Sequence, residues 1–343
     1  MRRKKSVNKE TFSIFENPSL PAGSRSYTYH QIMHWILKKK VLDFSLMTNL
    51  PSALRAELSQ RFTLNTLKLK KRRDSSDGTV KFLFELENYV PPVFIESVYI
   101  PSHTHTTACL STQSGCVCGC IFCATGTLGP GKNLLFPEIV LQLLNMENIL
   151  LTRISHIVFM GMGEPLHNYN EVVKAIQFFQ KSLLRISARK ITLSTIGIPD
   201  KIRRLTDENV RVELAISLHS AIESKRRHII QYKGLKPIEE VMDACDYYFA
   251  RTKRLPTIEY VLVKGLNDDR EDIYALVKLL QNRPYKVNLI PLNKAVGNYQ
   301  PPSQETVRRF CTSLQKYGIK TTVRRSAGQD IDAACGQLCA RQD

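Results

Sequence analysis

The sequence predicts an α/β protein, a complete or partial parallel barrel preceded by a small α-rich domain with a β-hairpin. Three observations predict it. From residue 107 onward, short β-branched runs alternate with amphipathic helical stretches, as in parallel strands joined by crossover helices. Before that point the apolar period is helical and then shortens to two. Directly after the first β-branched run, five cysteines fall within residues 109–123. In a parallel barrel, polar residues at the C-terminal ends of strands build the active site.

The elements follow in order. In "YTYHQIMHWILKKK", Ile32, Met33, Ile36 and Leu37 line one helical face. "NLPSALRAELSQRF" places Pro51 at a first-turn position and Leu54 and Leu58 on one face. Asp77-Gly78 is a turn dipeptide, and the alternation of Val80, Phe82, Phe84 and Leu86 behind it predicts a hairpin. These elements form an accessory domain over residues 1–92. Residues 93–343 form the core, with strands at "TACLSTQ", "ISHIVFMG", "KITLSTI", "VELAISL", "TIEYVLV", "KVNLIPL" and "KTTVRRS". Helices are predicted at "EIVLQLLNMENIL", "YNEVVKAIQFFQKSL", "IEEVMDACDYYFART", "REDIYALVKLLQN" and "ETVRRFCTSLQKYG".

Composition limits the function. The 343 residues are 43% hydrophobic and 23% charged, enough for a large core and unlike a disordered chain. The start, "MRRKKSVNKE", has no apolar stretch behind it, and no window approaches the roughly 20 apolar residues of a membrane span. A soluble, cytoplasmic protein is expected, with no membrane partner. Net charge is +18, and residues 1–74 carry 16 Lys and Arg against 5 Asp and Glu. Such a field attracts polyanions, nucleic acid first among them. Nine cysteines, an odd number, in a reducing compartment argue for metal binding or redox chemistry over a disulfide framework.

Cys116, Cys120 and Cys123 make C-x3-C-x2-C. Three thiolates on one loop can hold three irons of a [4Fe–4S] cluster and leave the fourth iron open. An open iron can chelate the amino and carboxylate groups of S-adenosylmethionine (SAM). Cys118 offers a competing ligand, Cys118-x-Cys120. A closed zinc site from Cys120, Cys123, Cys335 and Cys339 is the other reading, and would make the chain a zinc-stapled RNA-binding protein without catalysis.

C-x3-C-x-aromatic-C, with Phe122 as the aromatic residue, resembles the radical SAM motif. Together with "CLSTQSGC", "FMGMGEPL", "TLSTIGI", "AISLHS", "VNLIPLN" and "GQDIDAACGQL", it resembles the RlmN/Cfr family of RNA adenosine methyltransferases from Tyr29 to Leu338. The resemblance implies a partial (βα)6 radical SAM barrel with a [4Fe–4S] cluster and SAM. It implies that Gly163 and Glu164 sit at the edge binding the SAM amino group. It further implies that Ser194, Ser217, Leu218, His219 and Asn293, all at strand ends, contact the rest of SAM.

By the same resemblance, Cys335 accepts a methyl group from one SAM. A second SAM is cleaved reductively, its radical takes hydrogen from the S-methyl group, and the resulting carbon radical adds to adenine. Cys109 then forms a disulfide with Cys335 and releases the methylated base, with Glu96 as proton acceptor. Adenine C2 and C8 are amidine-like carbons without an electron pair for polar methyl transfer, so a radical route is required. The expected reaction is methylation of adenosine C2 in 23S rRNA, with tRNA as a further substrate. Pro165 in "GMGEPL" favours it over C8 methylation of the Cfr kind, which confers antibiotic resistance. The expected partners are the RNA and an electron donor such as flavodoxin or ferredoxin, acting on a monomer.

Overall fold

The computed structural model describes residues 2–3, 12–16, 19–21, 24–87, 89–293 and 298–340. Most of the basic start, residues 4–10, lies outside the described residues. Helix α1 (Thr28–Leu37) buries Ile32, Met33, Ile36 and Leu37, the face its apolar period defines. Helix α2 (Ser52–Arg61) starts behind Pro51 and buries Leu58. Both lie ahead of the hairpin β1 (Leu67–Asp74) and β2 (Val80–Leu86), turned at Gly78 with φ +83°.

The hairpin continues into one sheet. β3 (Val93–Pro101) pairs antiparallel with β2 and with β4 (Thr106–Cys109). From β4 the ladder is parallel: β5 (His156–Phe159), β6 (Ile191–Thr195), β7 (Glu213–Ser217), β8 (Thr257–Leu262), β9 (Lys286–Pro291) and β10 (Thr321–Val323). Spatial order equals chain order across ten strands. The crossovers are α3 (Phe136–Leu150), α4 (Tyr169–Lys181), α5 (Pro199–Asp207), α6 (Glu223–Ile229) with α7 (Ile238–Thr252), α8 (Arg270–Leu280) and α9 (Gln304–Lys316). Six βα units and a closing strand make the partial barrel that the sequence predicts. The chain turns back through α5 and α6, which the sequence reading did not separate. Both are short, and α5 buries only Pro199, Ile202, Leu205 and Thr206.

The barrel does not close, because among the described residues β10 pairs only with β9 and β1 is the opposite edge. The C-terminal tail lies across the gap. Asp330 accepts from Ser75 Oγ at 2.5 Å and from the Ser76 N–H at 3.1 Å, and Asp77 accepts from the Gly328 N–H at 2.9 Å. Strand alternation alone implies one solvated face for β2. The tail covers that face too: Thr79 packs beside Gly328, and Lys81 Nζ donates to the Asp332 carbonyl at 3.0 Å.

Lys81 also pairs with Glu96 of β3 at 3.2 Å, with both side chains at least 93% buried. Removing one member of such a pair leaves the other charge stranded. Lys81→Met is expected to destabilise the fold by about 3–5 kcal/mol, and Lys81→Met with Glu96→Leu to recover most of that loss. Denaturant unfolding of the two variants checks it.

Candidate active site

The cysteine loop leaves the C-terminal end of β4 and is pinned by backbone contacts. The Cys116 N–H donates to the Gly129 carbonyl at 2.7 Å, and the Cys123 N–H to the Cys120 carbonyl at 2.9 Å. Gly115 and Gly131 pass so close that a Cβ on Gly131 would lie 2.1 Å from the Gly115 nitrogen. That close approach accounts for Gly131 of "TLGPGKN", and Gly129 before it holds φ +70°. A patch of Ile196, Ile229, Ile230 and Leu235 backs the loop and buries Cys118. The Cys118 thiol hydrogen-bonds to Cys116 and holds Cys116 below its ordinary range. Burial, then the charges of the neighbouring thiols, pushes Cys120 well up; burial also raises Cys123.

These cysteines open into a cleft of about 880 Å³, counting its open mouth. Strand ends supply the other walls: Met160, Gly161, Gly163 and Glu164 after β5, Ser194 to Ile196 at the end of β6, Ser217 and His219 at the end of β7, and Pro291 to Asn293 at the end of β9. Gly163 has φ +99°, and a Cβ there would lie 2.5 Å from the Gln113 side chain. Glu164 is buried, and its carboxylate accepts from the Leu166 N–H at 3.0 Å and the Ile196 N–H at 2.9 Å. It therefore ties the loop after β5 to the end of β6, and burial lifts its pKa to about 7. The hydroxyls of Ser194 and Ser217 meet across β6 and β7 at 3.1 Å.

His219 holds φ +60°, a left-handed conformation that a non-glycine residue adopts only under constraint. Its Nδ1 accepts from the Val261 N–H at 3.1 Å, and its ring meets Phe122 edge-on at 4.8 Å. Burial, helped by the Arg226 charge, holds its pKa down to about 3. The ring is thus neutral with its proton on Nε2. Because the folded pKa lies below the unfolded value, this group's contribution to stability is lost as pH falls from about 6.5 towards 3. NMR of the labelled imidazole should show an Nε2–H tautomer with no titration between pH 8 and about 5. Protonation within that range contradicts it.

Cys335 enters the same cleft from the tail. Its neighbour Gly336 accepts from the Ala124 N–H at 2.6 Å, Leu338 accepts from Thr125 Oγ1 at 2.5 Å, and Asn293 Nδ2 donates to the Cys335 carbonyl at 3.4 Å. The tail is therefore stitched directly to the cysteine loop. Cys335 also lines a second chamber of about 1370 Å³, counting its open mouth, whose wall includes Cys109 at the end of β4. Burial, then the charge of Cys335, pushes the Cys109 thiol up to about 12, with Arg324 and the Met160 N–H acting against it. All nine cysteines are free thiols, Cys109 and Cys335 included.

Two residues of the sequence-derived set sit apart from these chambers. The Leu218 side chain is fully buried, and its N–H serves the Ile216 and Glu259 carbonyls at 2.8 and 3.1 Å. Glu96 lies under the tail, where it pairs with Lys81 and accepts from the Cys339 N–H at 2.9 Å. Sequence reading also missed a residue. Arg324, at the end of β10, lines both chambers. Attraction to Cys335 above all, then Glu259 and Cys109, keeps the half-buried guanidinium charged. An arginine in "KTTVRRS" reads as a solvated strand end, and only the return of the tail encloses it.

Comparison with known proteins places this geometry. Residues 110–277 match the Radical SAM superfamily, and residues 19–64 match the ribosomal RNA large subunit methyltransferase N-terminal domain. A probable dual-specificity RNA methyltransferase RlmN from Thermotoga petrophila is 44% identical over 92% of both chains. The chain belongs to the RlmN family. A Thermus thermophilus RlmN protein is 43% identical over 92% of this chain and 89% of its own. The crystal structure of a radical SAM methyltransferase from Sphaerobacter thermophilus is 38% identical and superposes with a TM-score of 0.87 over 92% of this chain and 93% of its own.

As an RlmN-family member, the chain is a radical SAM RNA methyltransferase with a [4Fe–4S] cluster and SAM as cofactors. The donor set fits the cluster. Cys116, Cys120 and Cys123 face one cleft from one loop, and their crowded, desolvated thiols have a natural counter-charge in iron. Among the described residues no three His, Cys, Asp or Glu side chains converge as ligands of a single ion, so the four-cysteine zinc site is not assembled. No described helix is long and apolar enough to cross a membrane.

Proposed function

We propose that this chain methylates C2 of an adenosine in 23S rRNA, with tRNA as a further substrate, using Cys335 as the methyl carrier. The observation that carries this reading is the position of Cys335, which lines the cleft of Cys116, Cys120 and Cys123 on one side and the chamber of Cys109 on the other. When bound, the cluster and SAM supply methyl transfer and one-electron reduction. Gly163, Glu164, Ser194, Ser217, His219 and Asn293 shape the surface that orients SAM, with Leu218 supporting it from beneath. Cys335 and the Arg324 guanidinium line the same two chambers.

Cys109 resolves the adduct. Once the adduct has given up its unpaired electron, which the cluster would take back, and its ring C2 proton, Cys109 loses its proton and attacks the Cys335 sulfur, so the S–S bond forms as the bond from sulfur to the base-linked carbon breaks. That carbon keeps the electron pair and takes a proton, which leaves a methyl group on the ring. Glu96 is the proton acceptor on this reading. The target base leaves its stack to enter the cleft. Residues 1–92 contribute phosphate attraction, and the chain works as a cytoplasmic monomer reduced by a flavodoxin or ferredoxin.

The test is the product nucleoside. Digestion of RNA treated with the reduced holoenzyme, followed by chromatography and mass spectrometry against C2- and C8-methyladenosine standards, should give the C2 isomer. The C8 isomer overturns the regiochemistry, and no methyladenosine overturns the reading.

A further inference from the structure

A second groove opens off the catalytic cleft, between the N-terminal half of α9 and the ends of β9 and β10. It holds about 1380 Å³, counting its open mouth. It shares Pro291, Leu292, Asn293 and Arg324 with the cleft, so the two are continuous. Its walls carry Arg308, Arg324 and Arg325 and no Asp or Glu. Arg308 and Arg325 are exposed, and neither makes an ion pair among the described residues. Other surface arginines are neutralised along their own helices, as Arg204 is by Glu208 and Arg227 by Glu223. Two unneutralised guanidiniums in a groove without carboxylates repel each other unless an anion lies between them.

We propose that this groove holds the phosphodiester backbone of the RNA strand on one side of the target nucleotide. The inference rests on the reading that an RNA base enters the cleft. A nucleotide drawn out of its stack drags its neighbours towards the mouth, and their phosphates need a charged track there. Guanidinium forks suit phosphate oxygens. Gln304, Thr312 and Ser326 add neutral hydrogen-bonding groups, and Val323, 40% exposed, offers an apolar contact for a ribose or base. That mixture suits a nucleotide strand better than an acidic protein surface, for which charge alone would serve.

The test uses the full-length holoenzyme carrying Arg308→Gln and Arg325→Gln, with deproteinised 23S rRNA as the probe. The plot of log affinity against log salt should become shallower by about 0.7 per arginine, the single-strand value for one lost phosphate contact. KM for the RNA should rise while kcat holds within about twofold. Lys278→Gln with Lys316→Gln, exposed lysines outside the groove, should leave the salt slope unchanged. Methylation of Cys335 by SAM without RNA should persist in the double variant, which shows it folded and loaded. Should the double variant not fold, Arg308→Gln alone should still give about half the slope change.

A methylated double variant with unchanged affinity and slope overturns the groove assignment. Unchanged RNA binding with slower reduction by flavodoxin overturns it too, in favour of an acidic protein partner. An unmodified Cys335 in the unsubstituted enzyme defeats instead the reading on which the inference rests.

Discussion

Cys335→Ala should lower RNA methylation by about a thousandfold or more, the scale of losing a covalent nucleophile. The loss should not be one of folding. The tail is held by main-chain groups of Gly336 and Leu338 and by the Asp330 carboxylate, none of which the substitution touches. The cluster cysteines should still load iron, so the variant stays brown and inactive. Cys109→Ala should fail differently. Its Cys335 should still acquire a methyl group, but the base stays bonded to the enzyme, because no second thiol can attack the linking sulfur. Denaturing electrophoresis of the Cys109→Ala reaction should show RNA travelling with protein, and the Cys335→Ala reaction should not. Free methylated RNA from Cys109→Ala removes that residue from the mechanism.

The second large effect lies in the cluster loop. Cys120→Ser should lose most bound iron and all measurable methylation, because a serine hydroxyl is a poor substitute for thiolate at iron–sulfur clusters. Cys118→Ser should keep its iron. Cys118 lines the same cleft but is 98% buried against an isoleucine patch, which suits a supporting position. Iron analysis and the absorbance of the two variants after anaerobic reconstitution separate them. Loss of iron from Cys118→Ser with retention in Cys120→Ser would reassign the ligands.

Much of this was legible before any coordinates. Seven parallel strands and the helices after most of them follow from the change of period along the chain. Residues 238–252, read as helical from spacing, are helical to both ends. The strand-end residues Ser194, Ser217, His219 and Asn293 converge because parallel strands place equivalent ends together. What spacing could not give is the path of the tail. It has no periodicity, and its anchors lie more than 200 residues upstream: Ser75, Lys81 and Thr125. Long-range hydrogen bonds of this kind leave no local pattern.

The same gap explains Arg324 and Glu96. Each reads as a solvated charge on a strand, and each is enclosed only when the tail returns. Alternation predicts the hairpin strand β2 but not that the tail covers its second face. Lys81, on the face expected to meet water, instead joins Glu96 to the Asp332 carbonyl.

The central claim is that Cys335 carries the methyl group, and its mass tests that most directly. Purified holoenzyme incubated with SAM and no RNA should yield a Cys335 peptide heavier by one methylene, with the label traced to the SAM methyl carbon and absent from Cys109 and Cys339. An unmodified Cys335 peptide from enzyme that methylates RNA would contradict the account.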